Sequence, residues 1–501
     1  GFRKNLYLKR SDTSRKDEST GRLKVNWQLA DNTKIKFLIS QVDLNDPADI
    51  WTIDGSLNTL SDRPGMDSQK TNSYGMKVFH SFDGFELQSY TSSTDTNVIF
   101  SYDADWGNTD SHFPYVYDYF SETLRDRKSF NQEFRVVSDS ADFQENSFFE
   151  WVIGANYLEL KESNLKKDDG LYGDPSDPYG PYASASASSS KYKSSNFSVF
   201  GNLDYLLSAS LKFSIGLRWE DWEADYSDSL QESFNPTDKM SGGKISLIKN
   251  MTNDTNMYAS LAKGYKQGGF NLGLGLDANA TNKNLAYDPE FLTNYELGLN
   301  TKLLDSRVTF NGVLFYSDRE DQQVLISTQT DPSDPNTFSF LTQNAAEGVN
   351  HGLEINMDMD INQSLSAFVN LGILKTEIKN WQSRQDLEGR AQAHAPERSY
   401  ALGLNWAPTS HTYLAIDFTG KSSFYYSDSH NNKSKSYVLT NLNLGYVKNN
   451  WNYELWARNI FDEYYSVRGF YFGNEAPNFI DTLYERHGDP RHIGVSIRYD
   501  F

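Results

Sequence analysis

Arg491 to Phe501 reads R-H-I-G-V-S-I-R-Y-D-F. Ile493, Val495, Ile497, Tyr499 and Phe501 fall on one side of an extended chain; His492, Gly494, Ser496, Arg498 and Asp500 fall on the other. A period of two marks a strand. One face is apolar or aromatic throughout, and the other is polar or small. Chain termini usually fray, so committing the last residue to an apolar face needs a reason. A strand that faces lipid and must pair to close a barrel supplies one. Tyr499 and Phe501 are thus the candidate barrel-closing residues and assembly signal.

The same alternation recurs upstream. In Leu211 to Glu220, Phe213, Ile215, Leu217 and Trp219 oppose Lys212, Ser214, Gly216, Arg218 and Glu220. In Phe197 to Leu207, Val199, Leu203 and Tyr205 oppose Ser198, Asn202 and Asp204. In Tyr437 to Tyr446, Val438, Leu442 and Leu444 oppose Asn441, Asn443 and Gly445. Charges on the second face cannot fill a dry core, because unpaired buried charge costs too much. They require a lumen that is wet or plugged by protein. Short turns of Asn, Asp, Ser, Gly and Pro join strands into hairpins, for example at Asp31-Asn32, Asp83-Gly84, Asp305-Ser306 and Asn449-Asn450. Long polar loops separate the hairpins. The expected fold is all-β: a transmembrane antiparallel barrel of about 20 strands, with short periplasmic turns and long extracellular loops.

Composition agrees. The 501 residues carry a net charge of -20, no cysteine, 31 Tyr, 31 Phe and 10 Trp. No apolar run is long enough for a transmembrane helix. Low mean hydropathy suits a barrel, in which only alternate residues meet lipid. Tyr205, Trp219, Tyr316 and Tyr446 lie towards strand ends, where an interfacial aromatic girdle belongs. The acidic balance argues against a nucleic-acid partner. Absent cysteine excludes disulfides and thiolate metal sites. A propeller would show a regular blade period, which these uneven loops lack.

Four segments then carry a family resemblance. Ala457-Arg458-Asn459-Ile460-Phe461-Asp462-Glu463-Tyr464-Tyr465 resembles the N-[LI]-F-D-x-x-Y element of TonB-dependent outer-membrane receptors. Pro490-Arg491-His492-Ile493-Gly494 with Tyr499-Asp500-Phe501 resembles their closing strand. Lys263-Gly264-Tyr265-Lys266-Gln267-Gly268-Gly269-Phe270-Asn271 is similar to their G-[FY]-[KR]-x-G-G-[FY]-N segment. Tyr287-Asp288-Pro289-Glu290 with Asn294-Tyr295-Glu296-Leu297-Gly298 is similar to P-E-x-x-x-x-Y-E-x-G. All four occur in family order. The resemblance implies a 22-stranded barrel in the outer membrane of a Gram-negative bacterium. It also implies an N-terminal plug and a TonB box pulled by the TonB-ExbB-ExbD complex. Residues 1–501 are expected to be the barrel, with box, plug and first hairpin outside this sequence. The implied activity is active uptake of a scarce bulky nutrient, most often a ferric siderophore; haem, cobalamin or a glycan are the family's alternatives. A passive porin and an adhesion barrel are the readings from other classes. The implied partners are the energy-transducing complex, a small extracellular ligand, lipid and lipopolysaccharide, and the barrel-assembly machinery.

No catalytic constellation or cofactor site is legible. Gly268 to Gly275 is Gly-rich but lacks the Lys-Ser/Thr pair of a phosphate loop. Asp103-x-Asp105 with Asn108 has calcium-ligand chemistry without EF-hand spacing. The eight histidines form no H-x-x-x-H pair. Loop aromatics are the better candidates for ligand capture, since rigid rings give contact area at low entropy cost. These are Trp106, His112, Phe113, Tyr115, Tyr117 and Tyr119, with Arg125 beside them. Tyr265, Gln267 and Phe270 form a second group, and Tyr425 and Tyr471 a third. The alternative role for such rings is to pack loops together. Asp103, Asp105, Asp110, Asp118 and Glu122 among the first group favour neutral, zwitterionic or cationic ligands, unless Arg125, Arg127 or Lys128 compensate. Ala183 to Ser190, A-S-A-S-A-S-S-S, reads as a mobile surface loop.

Overall fold

A computed structural model describes residues 2–139, 148–271, 286–329, 338–344, 347–381 and 384–501. Among these, nineteen long strands run as one antiparallel meander, each laddered to the next, from Glu18–Ala30 to His492–Tyr499. They curl into a barrel, whose sheet also holds the two-residue strand Ser233–Phe234. The expected strand count therefore holds. Among the described residues no ladder joins the two end strands, and both are exposed along most of their length. The N-terminal segment reaches across above them. Lys4–Asn5 pairs with Asn58–Thr59, while the Phe2 ring lies 5.4 Å from that of His492.

The alternation does what was expected of it. Leu217 is 65% exposed on the outer wall, and Ile153 and Val495 are 62% and 68% exposed. Leu23, Val25, Trp27 and Leu29 line the outer face of the first strand. The other face holds polar networks. Asp204 accepts from Lys212 Nζ at 2.9 Å and Asn202 Nδ2 at 3.1 Å, and from the Ser214 hydroxyl. Asn441 Nδ2 donates to Asp417, and Tyr413 Oη to Glu454, both at 2.7 Å. Between the two end strands, backbone donors and acceptors are consumed by the ladders, as lipid requires of strands. An aromatic belt marks the end near Asn449-Asn450: Trp451 lies 4.7 Å from Tyr499, and Tyr499 5.0 Å from Phe501.

Strand length corrects the reading of two loops. Val116–Ser138, Phe149–Gly173 and Tyr182–Ser208 run to 23, 25 and 27 residues. Roughly 10 residues suffice to cross a bilayer. Ala183 to Ser190 is therefore no loose loop: it is strand, with Ser190 paired to Asn164 and Ala183 to Leu171. Tyr117, Tyr119 and Arg125 likewise sit on a strand rather than in a loop. At the far end of the series, Trp451–Arg458 and His492–Tyr499 have only 8 residues each. The rim is thus tall on one side and low on the other. Over the low strands the loops fold into hairpins of their own, Gln323–Gln329 with Phe338–Asn344 and Ser466–Phe472 with Thr482–His487.

Candidate functional site in the extracellular loops

The loops meet above the lumen in three groups. The first grows from the end of strand Phe85–Asp103. Trp106 takes a left-handed backbone (φ 59°), held by its N–H donating to Asp103 Oδ1 at 3.1 Å. Asp105 is fully buried and accepts from the Tyr119 N–H at 2.8 Å and the Gly107 N–H at 3.2 Å. Ser61 Oγ donates to Asp103 at 2.6 Å. Burial first, then the adjoining Asp105, pushes the Asp103 carboxyl well up, and burial does the same to Asp105. Asn108 is engaged by the Leu60 carbonyl and the Asp110 N–H. The calcium-like triplet is thus spent on shaping its own turn, and the described residues hold no group of three or more potential metal ligands.

That turn delivers Trp106 into a buried aromatic knot with Phe472 and Tyr484. Trp51 stacks on Trp106 at 5.2 Å and on Phe470 at 4.6 Å. Phe338 reaches Phe472 at 4.6 Å. Four segments distant in sequence are tied at one point. His112 is buried against Tyr117 at 5.5 Å, and Tyr117 against Phe479 at 5.5 Å. Phe113 is 84% exposed; Tyr115 and Tyr119 are half-buried. Arg125 pairs with Glu162 at 3.4 Å and donates to Asn164 at 2.8 Å. Arg127 also pairs with Glu162, and Lys128 with Asp95.

The second group closes the mouth over strand Leu211–Asp228. Tyr265 Oη meets Arg218 Nε at 3.1 Å and Glu220 at 3.2 Å. Gln267 Oε1 accepts from Asn196 Nδ2 at 2.8 Å. Phe270 is buried with Trp222, Tyr226 and Met240, stacked on Tyr226 at 5.1 Å. Residues 272–285, which complete the Gly-rich stretch, lie outside the described residues.

The third group lies near a cavity of 270 Å³ that is lined by the chain neighbours Tyr426 and Phe470 rather than by Tyr425 and Tyr471. The Tyr425 ring carries two cations, Arg390 at 4.3 Å and Lys433 at 4.1 Å. Tyr471 is partly exposed beside His430 at 5.7 Å. Arg468, Phe340, Gln392 and His394 line this cavity, and none was among the sequence candidates. The signal was present in Ser466–Phe472, where Arg468, Phe470 and Phe472 alternate around the candidate Tyr471.

Comparison with known proteins fits this geometry. The TonB dependent receptor-like, beta-barrel family profile matches residues 9–460. The pesticin receptor of Yersinia pestis is 23% identical over 267 residues, 52% of this chain. The match spans only 36% of that relative's length. The ferric yersiniabactin uptake receptor FyuA from Yersinia pestis superposes with a TM-score of 0.79 at 17% identity, covering 100% of this chain and 73% of that one. The siderophore receptor PiuA from Acinetobacter baumannii gives 0.72 at 16% identity, over 96% of this chain and 74% of the other. With the family profile spanning nine-tenths of the meander, the chain belongs to the TonB-dependent receptors and forms their outer-membrane β-barrel.

Proposed function

We propose that this barrel is the wall and outer vestibule of a receptor that takes up a ferric siderophore or related iron complex, driven through TonB. The observation that carries the reading is the meeting of long loops in a vestibule of rings and polar cavities above a wet lumen. Proteins of similar structure support it: one is a ferric yersiniabactin uptake receptor, and another is a siderophore receptor. The ligand binds the loops and the top of a plug domain seated in the lumen. Force transmitted by the TonB-ExbB-ExbD complex then opens a path along the polar inner face. No bond is made or broken, so the protein is a transporter rather than an enzyme. Tyr499 and Phe501 serve as the signal read by the barrel-assembly machinery, and the outer wall meets lipid and lipopolysaccharide. The test is growth of an iron-starved strain deleted for the gene and supplied with single ferric chelates. Restoration by the full-length gene, lost again when tonB is deleted, is the expected result. Restoration without TonB, or an open conductance in planar bilayers, overturns the reading in favour of a passive pore.

A further inference from the structure

The hairpin Ser466–Phe472/Thr482–His487 sets Arg468 directly opposite Arg486. Like charges at facing positions repel. Neither arginine joins the ion pairs found among the described residues. Two acids nearby are paired with other arginines: Glu290 accepts from Arg319 at 2.7 Å and Asp428 from Arg390 at 2.8 Å, while Glu485 accepts only the neutral Tyr426 hydroxyl. Burial and then Arg486 hold the Arg468 pKa down, so its surroundings disfavour the cation. Burial and then Arg468 do the same to His394. Guanidinium cannot shed its charge, so the site gains when an anion arrives. The shape of the site narrows the anion further. Arg468 Cζ lies 4.8 Å from the Phe470 ring and 5.8 Å from Phe340, leaving its planar fork beside two apolar faces at the cavity. Gln392 and Gln322 line the same wall, with the Gln392 amide donating to Asn350 Oδ1 at 3.0 Å.

The acidic run that favoured neutral or cationic ligands is largely silent. Burial holds the Asp103 and Asp105 carboxyls up, Asp118 is paired with Arg63, and Glu122 with Lys167. From this geometry we propose that the 270 Å³ cavity takes the anionic aromatic part of the cargo, a ring bearing carboxylate or phenolate oxygens, with Arg468 as its specificity-determining residue. The ring lies against Phe340 and Phe470, and the oxygens meet the guanidinium fork. This rests on the uptake reading above.

The test is tryptophan quenching of the full-length receptor in detergent by three probes: trianionic ferric tris-catecholate, a neutral ferric trihydroxamate, and iron-free salicylate. The catecholate complex is expected to bind more tightly than the hydroxamate. Arg468→Gln should weaken catecholate and salicylate about tenfold, the loss of one charge-assisted contact, with Arg468→Lys intermediate and hydroxamate unmoved. Equal affinity for both ferric complexes, untouched by Arg468→Gln, overturns the anion site and leaves iron uptake standing. Salicylate binding that depends on Arg468, with neither ferric complex bound, keeps the anion site and removes iron as its cargo. Binding of no probe defeats both.

Discussion

The indoles of Trp51 and Trp106 stack at 5.2 Å with 17° between their planes, joining two loops that are 55 residues apart. That contact explains why an aromatic-rich loop serves as structure before it serves as surface. Trp106→Ala removes the centre of the knot, and large-to-small changes of this kind cost about 3–5 kcal/mol. The loss should fall on the loops rather than on the barrel. Hydrogen exchange is expected to quicken across residues 48–65 and 104–115 while strand Leu211–Asp228 keeps its protection. Uniform loss across both would show that the knot supports the wall.

Asp62 gives the same region a pH response. Burial, then Asp118 and Asp103, pushes its carboxyl from 3.8 up to about 6, and its Oδ1 is buried without a hydrogen-bond partner. A raised carboxyl favours the protonated folded form. Its contribution is full below 3.8 and is lost as pH climbs through about 6. Near-ultraviolet circular dichroism from the stacked indoles should therefore weaken over that rise. Asp62→Asn should flatten the change, and an unchanged profile in that variant would count against Asp62.

Inner and outer faces should respond oppositely to charge. Leu217→Arg puts a cation on the lipid wall, at about 2–4 kcal/mol if it sits near the bilayer midplane. Asn202→Lys places one on the inner face beside Asp204 and should be nearly neutral. Urea unfolding in lipid vesicles, followed by heat-modifiable gel mobility, separates them. Equal costs would contradict a wet lumen.

Asn459 ties two of the family segments together. Its Nδ2 donates to the Glu463 and Asp489 carbonyls at 2.9 and 3.1 Å, and its Oδ1 accepts the Glu463 N–H at 2.8 Å. Asp462 accepts the Arg491 N–H at 2.7 Å. Asn459 also holds a left-handed φ of 47°, which alanine adopts poorly. Asn459→Ala should cost about 2–4 kcal/mol from lost buried hydrogen bonds and backbone strain. Protease nicking of residues 459–491 on intact cells should rise accordingly. Resistance equal to wild type would mean that the turn is held elsewhere.

The fold was legible because lipid and water impose opposite demands on alternate residues. Leu217 and Arg218 differ for that reason alone. Where strands leave the bilayer the contrast vanishes, and so does the signal. Ala183 to Ala187 is strand held by a ladder, yet exposed on both faces. The candidate rings were visible as composition, but not their partners. Nothing local says that Trp106 meets Phe472 and Tyr484, since that depends on where loops hundreds of residues apart descend. Arg468 was missed because its meaning lies in Arg486 across a hairpin and in acids committed elsewhere.

The unequal rim sets a direction of approach. On its high side the parapet sets the small residues Ala183 to Ser190 beside the charged run Lys161 to Asp169. The low side carries Phe340, Phe470 and Arg468 around the cavity. On the uptake reading proposed above, a bulky solute would enter obliquely, over the sill, with the tall strands as its backstop.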